Sequence, residues 1–251
     1  MRDAADPLLP WLRALEARHL ADLTFPEVRR ALQALSSLYV ERRGKLSQGA
    51  AFDGAGKRAA FALYYGPLHF LLVREIVRVL GAARGTPRTI VDLGCGTAAA
   101  GAAWALESGG RARVVGIDRN GWALEEARRT AHDLGLDATF RRGDAVEVPL
   151  EGAGVGIVAA FCVNELDGPA RDRLREKLLG AARAGSSVLV VEPIARRPVP
   201  WWGGWSEAFL ASGGRDDSWR FRLDLPELLA KFDRAAGLDH RELTARSLWM
   251  G

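Results

Sequence analysis

From residue 88 onward, short β-branched apolar runs alternate with stretches whose apolar residues recur every three to four positions. "RTIVDL", "ARVVGID", "ATFRRGD", "VGIVAAFCV" and "SSVLVVEP" read as strands, and "AAAGAAWALES", "GWALEEARRTAHDLG" and "PARDRLREKLLGAARA" as helices among them. A strand that returns to its own sheet through a helix does so as a right-handed parallel crossover. The pattern therefore predicts an α/β fold with a doubly wound, mostly parallel sheet. With 251 residues, 48% of them hydrophobic, the chain suffices for one such domain plus an extension.

The extension lies first in the chain. "LLPWLRALEARHL", "FPEVRRALQALSSLYVERR" and "AAFALYYGPLHFLLVREIVRVLGAA" carry apolar residues at helical spacing, and Pro26 suits a first helical turn. "GKLSQGAAFDGAGKR" between the second and third is glycine-rich and reads as a mobile loop. The expected division is a helical extension over residues 1–85 and a sheet domain over 86–251. A tryptophan-rich insertion interrupts the latter at about 196–218. The chain closes on a helix and a strand, "LDHRELTARSLWM", and an eventual last edge strand would fall near 219–223.

The 35 basic residues nearly balance 31 acidic ones, so the charge of +4 does not by itself point to nucleic acid. Two cysteines, Cys95 and Cys162, exclude a disulfide framework and an all-cysteine metal site within one chain. The N-terminus carries acids and prolines where a leader peptide needs an unbroken apolar stretch, and no run has the length of a membrane span. These features predict a soluble, cytoplasmic protein, no membrane partner and no metal. They leave the oligomeric state open.

A parallel sheet binds ligands at the carboxyl ends of its strands. The loop "DLGCGTAA" ends the first strand, and Gly94 and Gly96 allow a tight turn and close approach to a ligand. Ala99 replaces the third glycine of the dinucleotide fingerprint. Asp118 closes the second strand, where a carboxylate takes both hydroxyls of a ribose. Asp92 then sets the sign of the ligand. A pyrophosphate beside it is repelled, whereas a sulfonium and an ammonium are attracted. At ~4 Å and an effective dielectric near 20, such a pair is worth about 4 kcal/mol before desolvation. The expected cofactor is S-adenosylmethionine, with a nicotinamide dinucleotide disfavoured.

Over about residues 88–195 the chain resembles the class I S-adenosylmethionine-dependent methyltransferases, whose sheet is Rossmann-like. "VDLGCGTAA" is similar to their first motif, "VVGIDRNGWALEEAR" to the second and "RRGDAVEVP" to the third, while "VGIVAAFCVNEL" stands in place of the fourth. The resemblance implies that Asp118 holds the ribose, that Asp144 accepts from the adenine amino group and that the Ala145 N–H reaches the ring. Cys95 in the turn and Phe161 at the fourth strand's end join the cofactor residues. Arg119 stands where the family often has an apolar residue against adenine. Its guanidinium either stacks there or points to solvent, and Trp122 is a second candidate for that wall or for core packing. Shorter pieces, "YYGPLHFLLV", "DRNGWAL" and "VNEL", are similar to methyltransferase-like proteins of small-subunit ribosome assembly, whose cysteine cluster this chain lacks.

The acceptor pocket should lie beyond the fourth strand and under the N-terminal helices. Asn164 and Glu165 follow that strand, and either orient the nucleophile or cap a turn and face solvent. "FCVNELD" is not the motif of amino-methylating nucleic-acid enzymes, and Cys162 lacks the context of the cytosine-C5 enzymes. Tyr65 and His69 share one helical face, which would close over the cofactor's methionine end, with His69 as a base or as a core histidine with one hydrogen bond. Four of the eight tryptophans fall between 201 and 219, either lining an aromatic acceptor site, stacking RNA bases, or forming a satellite core. Glu192 is expected to bond within that loop. Three functions compete: methylation of a small aromatic or amine-bearing molecule, methylation of RNA or the ribosome, and a weakly catalytic assembly factor.

Overall fold

The computed structural model describes residues 6–41, 52–150, 152–194, 199–238 and 240–251. Most of the loop expected at 44–58 lies outside these residues. Helix α1 is Leu8–His19, α2 Phe25–Glu41, α3 Ala55–Ala60 and α4 Gly66–Leu80. The sheet domain then runs β1 (Thr89–Leu93), α5 (Ala99–Glu107), β2 (Arg113–Asp118), α6 (Gly121–Asp133), β3 (Ala138–Arg142) and β4 (Val155–Ala160). It continues with α7 (Gly168–Arg183), β5 (Ser187–Glu192), α8 (Trp202–Ala211), β6 (Arg215–Phe221), α9 (Glu227–Ala236) and β7 (Leu243–Met250).

The sheet has seven strands in the order β3-β2-β1-β4-β5-β7-β6. The first five are mutually parallel, while β7 runs antiparallel to both β5 and β6. Strand order reverses direction between β1 and β4, and the switch point between them opens a crevice at their carboxyl ends. Period-two alternation divides the inward residues between two layers. Ile90, Val158, Leu189 and Val191 join one core with α4, α5, α6 and α9. Leu93, Ile157, Val188 and Val190 join the other with α7 and α8.

The N-terminal helices build no core of their own. Trp11 of α1, Leu32 of α2 and Phe70 and Val73 of α4 belong to the same apolar cluster as Trp104 and Trp249 of the sheet domain. The Arg18 guanidinium fastens α1 to α6 by pairing with Glu126 and Asp133, each at 2.6 Å. Between α3 and α4 one π-helical turn, Phe61–Tyr65, precedes Pro67. Proline returns no N–H to the preceding turn, so the helix widens there at little further cost.

Two expectations change. The tryptophan-rich stretch is not a break in the rhythm, because residues 202–211 form α8, the crossover after β5. Trp202, Trp205 and Phe209, at i, i+3 and i+7, make its buried stripe. The last edge is a complete strand, β6, starting at Arg215 and not near 219. Its charged sequence hides it, as suits an edge strand that meets water.

Candidate functional site

The first loop is shaped by close approach. Gly94 and Gly96 take left-handed φ values of 64° and 51°. A Cβ on Gly94 would meet Cys162 Cβ at 2.6 Å, so the end of β4 presses on the turn after β1. A Cβ on Gly96 would meet only Phe61, at 4.0 Å. The Gly96 N–H donates to Asp118 Oδ2 at 2.9 Å, and the Asn120 N–H donates to Oδ1 at 2.8 Å. One carboxylate thus holds the first loop against the start of α6, which Asn120 caps through the Ala123 N–H.

These residues line a cleft of about 630 Å³ at the carboxyl ends of β1, β2, β4 and β5. Asp92, Gly94, Cys95, Gly96, Asp118, Arg119, Asp144 and Ala145 lie in its wall, as do Phe161, Tyr65, His69, Asn164 and Glu165. Sequence reasoning missed Phe52, Leu72, His240 and Leu243, which line it too. His240 carried no local signal. It stands in a polar loop far along the chain and reaches the cleft because β7 runs antiparallel, which brings its start to the crevice.

Asp92 differs from expectation. Its carboxylate is buried and accepts the Gly101 N–H at 2.8 Å. Burial pushes its pKa up to about 7, against the Gly101 bond, and the charge of Asp118 adds to the rise. Near neutrality its charge is therefore incomplete.

Arg119, with 64% of its side chain exposed, pairs with Asp144 at 2.5 Å across the mouth. Asp144 is held below the ordinary carboxylate range, because the Val146 N–H and Arg119 outweigh a slight burial. Trp122 packs on Phe52 beneath the Arg58 guanidinium and does not line the cleft.

At the end of β4, Phe161 adopts a φ of +59°. A bulky residue there is strained by about 1–3 kcal/mol, and such strain gathers at functional sites. Its ring stacks on His69 at 4.0 Å. His69 fits neither expectation. Among the described residues its ring nitrogens have no hydrogen-bond partner, and its apolar surroundings lower its pKa to about 4, which makes it a poor base. Tyr65, four residues earlier, has its hydroxyl bonded to Ser36 of α2, while burial raises its pKa to about 12.

Asn164 is engaged on both sides. Its amide donates to Glu192 and accepts from Trp201 Nε1 at 3.0 Å. Glu192 also accepts the Val163 and Asn164 N–H groups, so it shapes the loop after β4. Glu165 opens onto the cleft. The surrounding walls and the Asp118 charge raise its pKa to about 7, against the pull of Arg119. Both cysteine thiols are pushed up by burial, and Cys162 Sγ contacts Leu93 O at 3.1 Å, which suits packing.

No tryptophan of the 201–219 cluster lines the cleft. Trp202 and Trp205 face the α7 side of the sheet. Trp219 Nε1 donates to Ser247 on the neighbouring strand. The satellite-core reading is the one the structure supports.

A family model for a methyltransferase domain matches residues 90–185. No curated protein matches the chain in sequence. Among solved structures, a proposed O-methyltransferase from Nostoc punctiforme is 14% identical, with a TM-score of 0.53 over 97% of this chain and 72% of its own. An S-adenosylmethionine-dependent methyltransferase from Aquifex aeolicus is 16% identical, with a TM-score of 0.44 over 65% and 81% of the two chains. The magnesium protoporphyrin IX methyltransferase of Synechocystis, solved with S-adenosylhomocysteine, is 14% identical, with a TM-score of 0.47 over 72% and 82%. At these identities the first likeness speaks for the fold alone.

Proposed function

We propose, from the match of residues 90–185 to a methyltransferase-domain model, that the chain uses S-adenosylmethionine to methylate a small acceptor with an apolar body. The residues present suit the cofactor. Two left-handed glycines open the backbone at the end of β1, Asp118 stands at the end of β2, and a Cβ is missing at Gly96 where the wall faces open space. In this reading Asp118 holds the ribose, Asp144 and the Ala145 N–H meet the adenine, and Gly94, Cys95 and Gly96 pass beneath the methionine end. Tyr65 and Phe161 flank that end, with Asp92 behind it. When bound, S-adenosylmethionine supplies a methyl group already activated by its sulfonium.

The remaining residues position the acceptor and keep water out. Phe61, Tyr65, Leu68, Leu72, Phe161 and Leu243 form the apolar part of the wall. Most of them come from the helical segment before β1, so residues 1–85 act as a cover over the domain 86–251. Excluding water strengthens every electrostatic contact inside. Glu165 orients the acceptor, His69 shapes the wall by stacking on Phe161, and Asn164 works one step back by holding Glu192 and Trp201.

One observation carries the choice of acceptor. Among the described residues, the cleft wall holds the carboxylates of Asp92, Asp118, Asp144, Glu165 and Glu192 against a single arginine, Arg119, which Asp144 already pairs. Nucleic-acid binding rests on cations that neutralise phosphates, and this wall has the opposite sign. It suits a neutral or amine-bearing small molecule.

The test separates these classes. The chain is incubated with methyl-tritiated S-adenosylmethionine and either the low-molecular-mass fraction or the ribosomal RNA of a cell extract. Label should enter the low-mass fraction. Label in RNA, with none in small molecules, would overturn the acceptor class.

A further inference from the structure

We infer that His240, clamped by Asp233 and Tyr64 at the rim of the cleft, is the general base that takes the acceptor's proton, and that the acceptor atom is a hydroxyl oxygen. The inference rests on the methyltransferase reading above and deepens it.

Asp233 sits on α9 and is buried. Its Oδ2 accepts the His240 backbone N–H at 3.1 Å, and its Oδ1 lies 2.5 Å from His240 Nδ1. The Tyr64 hydroxyl, from the π turn, donates to the same Oδ1 and lies 2.8 Å from Nδ1. Burial alone would raise the Asp233 pKa, but the bonds from Tyr64 and His240 hold it below the ordinary range. An ionised carboxylate only accepts hydrogen bonds. The hydrogen between Asp233 and His240 therefore belongs to Nδ1, so in the neutral ring it is Nε2 that carries the lone pair. The imidazole lines the cleft with 35% of its side chain exposed, so the ring edge away from Asp233 is the one available to a ligand.

This imidazole belongs to the wall already described. Ring contacts run from His240 to Tyr64 at 6.0 Å, Tyr64 to Tyr65 at 5.4 Å, Tyr65 to His69 at 6.2 Å and His69 to Phe161 at 4.0 Å. His69 is too weak a base for the task, and Glu165 lies under the influence of Asp118 and Arg119 on the cofactor side. His240 alone among these has a carboxylate behind it, which fixes its tautomer and steadies its charge once protonated.

That arrangement selects the acceptor. A neutral amine attacks without losing a proton first, and a carboxylate has none to lose. A hydroxyl is a weak nucleophile unless its proton departs as the new bond forms. In the step, the oxygen–carbon bond forms as the carbon–sulfur bond breaks, the bonding pair stays on sulfur, and the hydroxyl proton passes to His240 Nε2.

Two readouts test this. The chain has four histidines, so long-range nitrogen–proton spectra resolve each ring. His240 should show the Nδ1–H tautomer in the wild-type chain, and an Nε2–H tautomer overturns the inference. Second, with the tritiated cofactor and the low-mass extract fraction, His240→Gln should slow transfer about 10²–10⁴-fold at unchanged S-adenosylhomocysteine affinity, with the wild-type label recovered in O-methyl groups. Asp233→Asn should lose the tautomer preference and slow transfer at the same unchanged affinity, which covers a misfolded His240→Gln. An undiminished rate in both variants, or label on nitrogen, overturns this inference and leaves the methyltransferase reading intact. A wild-type chain that binds no S-adenosylhomocysteine overturns both.

Discussion

Gly94 and Gly96 share a loop and a backbone conformation, yet they should fail in different ways when changed to alanine. Both sit at left-handed φ, which costs an L-residue about 1–2 kcal/mol. At Gly94 the new methyl would also stand 2.6 Å from Cys162 Cβ and 3.0 Å from Sγ. Cys162 follows directly on a strained Phe161 whose N–H is bonded to Val191 O, so the neighbour has little room to yield. Overpacking of this kind adds about 1–3 kcal/mol. Gly94→Ala should therefore destabilise the fold by roughly 2–5 kcal/mol, a large part of the total stability of a domain. Gly96→Ala should cost only the strain, about 1–2 kcal/mol, but it places a methyl where the cofactor would approach. Urea unfolding gives the stabilities, and titration calorimetry gives the S-adenosylhomocysteine affinities. Repeating Gly94→Ala in a Cys162→Gly background should recover the packing part and leave the strain, which a double-mutant cycle reads as coupling. Equal destabilisation by the two alanines would refute the reasoning, as would a Gly94→Ala chain within about 1 kcal/mol of the wild type.

Asp92→Asn should change how stability depends on pH. The folded pKa of Asp92 is raised to about 7, so its contribution is fully present below the unfolded value near 4 and is lost as pH rises through about 7. Denaturation at pH 4 to 8 should show a decline in the wild type, on the order of 4 kcal/mol at most from this group, that the variant lacks. Asp118→Ala should weaken S-adenosylhomocysteine binding by about 1.5–3 kcal/mol, part of it through the freed Gly96 and Asn120 N–H groups. Unchanged affinity in calorimetry would refute that role. Arg18→Met leaves Glu126, among the described residues, buried beside only His19, and should lower stability in urea by about 2 kcal/mol, below the range for a fully buried pair because Arg18 is 20% exposed.

The sheet and the strand-end residues that line the cleft were legible because their signals are local. Short apolar runs such as "TIVDL" and "VGIVAA", with helical spacing between the strands, force parallel crossovers. A parallel sheet then delivers Gly94, Asp118, Asp144 and Glu165 to one rim, since each follows the carboxyl end of its own strand. Other features depend on what meets what. The role of Asp92 turned on Gly101, nine residues away, whose N–H and lack of a side chain let the carboxylate be buried. The tryptophans of α8 carry the same residue types whether they line a ligand site or fill a core, and only the side of the sheet on which α8 packs distinguishes the two. The edge strand β6 has no apolar pattern because its pairing with β7 supplies what its side chains do not. His240 lies 176 residues from Tyr64, its hydrogen-bond partner. Chemistry built from contacts at such separation leaves no trace in local sequence, because burial and hydrogen bonding arise only when the chain closes on itself.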